Sequence, residues 1–227
     1  MIARLKLIFS ALAAKASIAL RPSFRVQDVL VLACQISIYF LFFTAVTAGV
    51  VAGAGEVAAD THHPTIYLIR HGEKPIDPNN HSLNFEGAMR AQCLRRVFGV
   101  SSAYDIQYII APTVIADDEH GRPYRTVQPL AHDLGLEVDL HCSRDKLRCL
   151  VDAIRSYNGP GNILVSWRHG NMKKILPLLG VENGAKYPKH RFDIIWTIPY
   201  PYDQLTEIKS ENCPGLDVDA QGLIVQY

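Results

Sequence analysis

Two apolar runs in this sequence end on the same three residues. Ile66–Ile69 leads into Arg70-His71-Gly72, and Asn162–Trp167 leads into Arg168-His169-Gly170. Arg122, with Arg125 close by, lies between them in the chain. These residue types suit a phosphate. A guanidinium fork matches phosphate oxygens two at a time. A neutral imidazole set among cations can attack phosphorus, giving a phosphohistidine that water then resolves. The cations stabilise charge on the phosphoryl group in transfer, and that chemistry requires no metal. Gly72, lacking a Cβ, lets a substrate or a second loop approach closely.

The elements that position these groups follow from periodicity. Ile66–Ile69 is short, apolar and β-branched, which reads as a buried strand with Arg70 and His71 at its carboxyl end. Ligands of open α/β sheets bind at that end. Phe85, Ala88, Met89, Cys93, Leu94, Val97 and Phe98 recur at helical spacing, with Asn84 as N-cap and Gly99 as stop. Ile106–Ile110 reads as a second strand, ended by Ala111-Pro112. Val127, Leu130, Ala131 and Leu134 form a second helical stripe closed by Gly135, and Glu137–Leu140 reads as a short third strand. Ser143 is the expected cap of a helix faced by Leu147, Leu150, Val151 and Ile154. A short helix over Met172–Leu179 follows the second Arg-His-Gly. Phe192–Ile198, Gln204–Lys209 and Leu223–Gln226 read as later strands. Strands alternating with helices imply an α/β sheet covered on both faces, and the hairpin-like tail makes that sheet mixed.

The chain has 227 residues and a formal charge of +1. That is enough for one domain with a sizeable core plus an appendage, and it argues against nucleic-acid binding driven by overall basicity. The five cysteines, Cys34, Cys93, Cys142, Cys149 and Cys213, show no CxxC spacing, so no zinc site is expected. Reduced thiols are the expectation for the four outside the apolar segment, because a core this size needs no staple. Two disulfides are the alternative if the domain faces an oxidising compartment.

Residues 1–28 are basic and hold no acid before Asp28, and residues 29–55 hold no charge at all. The second stretch exceeds the roughly 20 apolar residues a spanning helix needs. The basic flank keeps the amino side cytoplasmic. The expectation is a basic leader, a transmembrane or signal-anchor helix over 29–55, a linker over 56–64 and a catalytic domain over 65–227 facing a lumen or the outside. A signal peptide cleaved near Ala52-Gly53-Ala54, a mitochondrial presequence and a core helix are the alternatives. Asn80-His81-Ser82 is a glycosylation sequon, meaningful if the domain is luminal.

Four blocks in order resemble the histidine phosphatase superfamily, also called phosphoglycerate mutase-like. They are Arg70-His71-Gly72; Leu83, Gly87, Arg90 and Ala91; Arg122 with Thr126, Leu130 and Ala131; and His169 between a strand and a helix. The resemblance spans about Thr65 to Thr197. It implies a three-layer α/β/α sandwich with a mostly parallel mixed sheet. His71 would be the phosphorylated nucleophile, and Arg70, Arg122 and His169 would complete the phosphate pocket, with neither metal nor organic cofactor. Relatives also carry an acid that protonates the leaving oxygen. Asp139, Asp145, Glu73 and Asp77 are the candidates here, and none sits in a recognisable motif. His169 is followed by Gly170 and not by the Asp of the acid-phosphatase branch.

The function implied is a phosphomonoester hydrolase acting on a phosphorylated small molecule. A phosphomutase of the same family is the alternative, as is a catalytically idle binding protein attached to a membrane. The sequence leaves the oligomeric state open. If residues 29–55 anchor the protein, it stays in the membrane pellet after alkaline carbonate washing; complete release to the supernatant would remove the anchor.

Overall fold

β1 (Ile66–Arg70) is buried along nearly its whole length because it runs through the middle of a sheet that has six strands among the described residues. This computed structural model describes residues 62–182 and 184–218, all within the compact unit Thr61–Tyr227. The basic leader, the apolar segment 29–55, the first part of the linker, Cys34 and the expected strand Leu223–Gln226 lie outside the described residues. Among those described, no helix is long and apolar enough to cross a membrane.

After β1 come α1 (Phe85–Val97), β2 (Ile106–Ile110), a 3-10 turn (Ala116–Asp118), α2 (Arg122–Leu134), β3 (Val138–Asp139), α3 (Leu147–Ser156), β4 (Asn162–Trp167), α4 (His169–Leu179), β5 (Ile194–Ile198) and β6 (Glu207–Ser210). The strand order is β3-β2-β4-β1-β5-β6. β1, β2, β3 and β4 pair in parallel, whereas β5 runs antiparallel to β1 and to β6. The sheet is therefore mixed, as the hairpin-like tail implied.

Alternation along β1 divides the core. Ile66 and Leu68 join one buried cluster with residues of α3 and α4, including Leu150, Ile154, Met172 and Ile175. Ile69 joins the other with Leu94 of α1 and Val127 and Leu130 of α2. Successive strand side chains point to opposite faces, so the two helix pairs sit on opposite sides of the sheet. This is the expected three-layer arrangement.

Several boundaries move for local reasons. The third strand is only Val138–Asp139. Ser143 does not cap α3, which starts at Leu147 after Lys146. The Arg144 carbonyl instead accepts from Trp167 Nε1 (3.1 Å) and Asn171 Nδ2 (2.9 Å), which holds residues 143–146 as a turn. β5 begins at Ile194, because Arg191 and Asp193 pair in the preceding loop. The cysteines reverse the expectation of reduced thiols: Cys93–Cys213 and Cys142–Cys149 are disulfides. The end of the expected linker belongs to the domain. Tyr202 donates to the Pro64 carbonyl (3.0 Å), and His63 stacks on Tyr200 at 3.8 Å.

α1 approaches the loop after β1 very closely. Asn84 caps α1 by accepting from Gly87 N–H (2.9 Å), as its type and position predict. The Asn84 N–H donates to the Glu73 carbonyl (3.1 Å). A Cβ on Gly87 would stand 2.3 Å from that carbonyl oxygen, and one on Gly72 would stand 3.0 Å from the Gly87 carbonyl oxygen. Two glycines face each other because nothing larger fits between two backbones. Gly87→Ala is expected to lower stability by about 1–3 kcal/mol, read as a lower urea midpoint; an unchanged midpoint would show that the loop can retreat freely.

Candidate functional site

Parallel pairing brings the two Arg-His-Gly motifs together. Arg70 is in register with Trp167 across β1 and β4, so residues 71 and 168–169 leave adjacent strand ends on the same side of the sheet. His71 N–H continues the ladder to the Trp167 carbonyl (3.1 Å). Gly72 N–H donates to Thr126 Oγ1 (2.8 Å) on α2, and Thr126 in turn donates to the Arg122 carbonyl (2.8 Å). The same α2 turn therefore carries Arg122 and anchors the loop that carries His71.

A cavity of about 160 Å³ opens here. Its walls carry His71, His81, Glu119, His120 and three arginines, Arg122, Arg144 and Arg168. His71 is 6 % exposed. Its Nδ1 lies 2.7 Å from the Gly72 carbonyl oxygen. A carbonyl can only accept, so Nδ1 carries the proton and Nε2 keeps its lone pair. Burial lowers the imidazole pKa to about 3, with Arg70, Arg122 and Lys74 adding to the effect and the Gly72 bond opposing it. At neutral pH the ring is an uncharged base beside cations, the state a nucleophile requires.

Arg122 is braced, not free. Its Nε donates to the Ser82 carbonyl (3.0 Å) and an NH2 group to the Asn80 carbonyl (2.6 Å). The expected sequon thus sits on the cavity rim, with Asn80 itself exposed. Burial lowers the Arg122 pKa, yet a guanidinium stays charged throughout the physiological range.

Two of the sequence-derived site residues face elsewhere. Arg70 is 7 % exposed, donates to the carbonyls of Lys189 (2.9 Å) and Arg191 (2.7 Å), and lies 3.7 Å over the Phe192 ring. Its Nε is buried without a partner. His169 opens α4, and its Nε2 lies 3.1 Å from the Tyr187 carbonyl oxygen. Neither lines the cavity. One segment, residues 187–192, takes the hydrogen bonds of both.

The four candidate acids are all engaged outside the cavity. Asp139 accepts from Tyr108 and from His141 N–H (3.0 Å). Asp145 accepts from Asn171 Nδ2 (2.9 Å) and from Arg144. Asp77 accepts from Asn79 N–H (2.9 Å). Glu73 pairs with Arg90 at 2.6 Å, and Arg90 reaches on to Glu211 (2.7 Å) and Asp217 (2.8 Å). Among the described residues, Glu119 is the carboxyl that lines the cavity. It lies three residues before Arg122, a proximity that could have drawn attention in the sequence. Arg144, Arg168 and His120 also line the cavity, and of these only Arg168 lies in a motif the sequence marks.

No family model and no curated protein matches the chain. Among solved structures, it is similar to one described as a phosphohistidine phosphatase SixA from Agrobacterium tumefaciens, at 13 % identity and a TM-score of 0.45, covering 66 % of this chain and 99 % of that one. It is also similar to a protein histidine phosphatase SixA complexed with tungstate, at 12 % identity and a TM-score of 0.42, covering 65 % of this chain and 97 % of that one. A third is a phosphoserine phosphatase variant from Entamoeba histolytica in complex with phosphoserine, at 14 % identity and a TM-score of 0.43, covering 65 % and 98 %. All three are described as phosphatases. What this cavity can do follows from its own residues.

The depressed His71 pKa has a consequence for stability. Between its unfolded value near 6.5 and about 3, the unfolded chain takes up a proton that folded His71 refuses. The His71 contribution is fully present above pH 6.5 and is lost as pH falls toward 3. Urea unfolding of wild type and His71→Asn at pH 7 and pH 4 is expected to diverge by about 3 kcal/mol, wild type losing more. Parallel pH slopes would mean the ring is solvated.

Proposed function

We propose that the protein is a phosphomonoester hydrolase in which His71 Nε2 takes the phosphoryl group and water releases it. The observation that carries this reading is a buried, unprotonated imidazole with a free Nε2 in a cavity walled by three guanidinium groups. Such a wall attracts a phosphate dianion and repels a divalent cation, which supports chemistry without a bound metal. Arg122, braced by two carbonyls, is the proposed first ligand of the phosphoryl oxygens. It loses little freedom on binding.

We assign proton delivery to the leaving oxygen to Glu119. Arg70 supplies charge behind the imidazole and helps keep it unprotonated. For Arg70 and His169 to touch phosphate, they must exchange their bonds to residues 187–191 for bonds to the ligand. The two disulfides support a lumen or exterior as the compartment of this domain, in keeping with an anchor over residues 29–55.

The test is phosphate release from para-nitrophenyl phosphate by the full chain without added metal. Rapid-quench labelling accompanies it, looking for acid-labile, base-stable phosphate. Activity and label are expected together and should vanish together in His71→Asn. Arg122→Ala is expected to reduce kcat by about 100-fold or more. Glu119→Gln should slow esters with poor leaving groups more than para-nitrophenyl phosphate. Turnover that survives in His71→Asn would overturn the reading.

A further inference from the structure

The two disulfides have similar access and different surroundings. Each joins a fully buried cysteine to a half-buried one: Cys142 to Cys149, and Cys213 to Cys93. A thiol arriving from solvent therefore meets Cys149 or Cys93, and the buried cysteine must depart as the thiolate. How readily it departs depends on what receives the charge.

Cys213 would depart among carboxylates. Its Sγ lies 3.9 Å from Glu211 Oε2, and Glu211, Cys213 and Asp217 bring their ligating atoms within 4.8 Å of one another. Cys142 would depart beside an imidazole, with its Sγ 3.1 Å from His141 Nε2. The other ring nitrogen aims the ring. His141 Nδ1 donates to Asp139 Oδ1 (2.6 Å), which also accepts the His141 N–H (3.0 Å), while Asp139 Oδ2 accepts from Tyr108. A carboxylate only accepts, so the Nδ1 proton is fixed and Nε2 is the atom presented to sulfur. The His141 side chain is 58 % exposed, so the ring can draw protons from water.

The frame around this pair does not depend on the S–S bond. Thr113 N–H donates to the Cys142 carbonyl (3.0 Å), Lys146 N–H donates to the Ser143 carbonyl (2.9 Å), and Trp167 and Asn171 hold the Arg144 carbonyl. Cys149 is fixed on α3. Two thiols held in this way stay apposed when the bond opens and can close it again.

We propose that Cys142–Cys149 is a redox-active disulfide, opened by a dithiol that attacks Cys149 while His141 protonates the departing Cys142 sulfur, and that Cys93–Cys213 is a structural staple. In the first step the dithiol's thiolate bonds to Cys149 Sγ, the S–S bond breaks, and its electron pair goes to Cys142 Sγ, which takes a proton from His141 Nε2. In the second step the dithiol's other sulfur attacks the mixed disulfide and Cys149 leaves as a thiol. The dithiol is oxidised to a disulfide, and the protein pair gains two electrons and two protons. The segment between the cysteines carries Arg144 of the cavity wall, but the exchange chemistry stands whether or not the protein is a hydrolase.

The experiment treats the folded full chain with dithiothreitol, quenches with iodoacetamide at intervals and follows each cysteine by peptide mass spectrometry. Cys142–Cys149 is expected to open about 10-fold faster than Cys93–Cys213, or more. With glutathione in place of dithiothreitol, the trapped species should carry glutathione on Cys149 and the alkyl group on Cys142. His141→Gln should slow opening of Cys142–Cys149 several-fold and leave Cys93–Cys213 unchanged, the second rate reporting that the fold is intact. Equal rates for the two disulfides, faster opening of Cys93–Cys213, glutathione on Cys142, or a His141→Gln variant that leaves Cys142–Cys149 unaffected or alters both disulfides alike would each overturn the proposal.

Discussion

A single buried guanidinium holds the site loop to the body of the domain. Arg90 on α1 is almost completely enclosed and binds Glu73, Glu211 and Asp217 at once. Glu73 lies two residues beyond His71, while the other two carboxylates come from the segment after β6. Burial pushes the Glu211 carboxyl up to about 8, with Asp217 and Asp193 adding to the rise and Arg90 opposing it. Breaking such a pair leaves charge stranded in the interior, which costs about 3–5 kcal/mol. The chain from Arg90 through Glu73 to Gly72 and His71 is thus stiff, and His71, the proposed nucleophile, inherits that stiffness.

Stiffness matters because the electrostatics of the site depend on exclusion of water. His71 remains neutral because it is buried first and because cations surround it second. Were the loop to lift away from α1, the ring would become solvated, its pKa would return toward that of free histidine, and the advantage at mildly acidic pH would be lost. The close approach of Gly72 and Gly87 and the Thr126 bond to Gly72 serve the same end from the other side.

Much of this was legible in the sequence where the signal is local. Apolar runs, the Asn84 cap and the repeated Arg-His-Gly at strand ends follow from periodicity and turn chemistry over a few residues. The parallel pairing of β1 with β4 then brings the two motifs together. What was not legible depends on distant partners. Arg90 finds acids 121 and 127 positions away, and Cys93 finds Cys213, 120 positions away. The direction of Arg70 is set by carbonyls of residues 189 and 191, which no motif marks. Arg144 reaches the cavity because two side chains capture its carbonyl and hold an irregular turn, where helical spacing suggested only a cap. Glu119 is the last of three consecutive acids, Asp117-Asp118-Glu119, in a polar loop, and only its proximity to Arg122 sets it apart from the four others.

The sheet also bears on how the chain behaves in company. Of the described strands, the two at its margins are β3 and β6. β3 is two residues long, too short to template a neighbour. β6 carries Glu207 and Lys209 around an exposed Ile208. Charges alternating with a lone apolar residue make poor pairing for another molecule's strand. A concentrated solution of this domain is thereby guarded against edge-to-edge association, while its most aggregation-prone strands, β1 and β4, stay sealed at the centre.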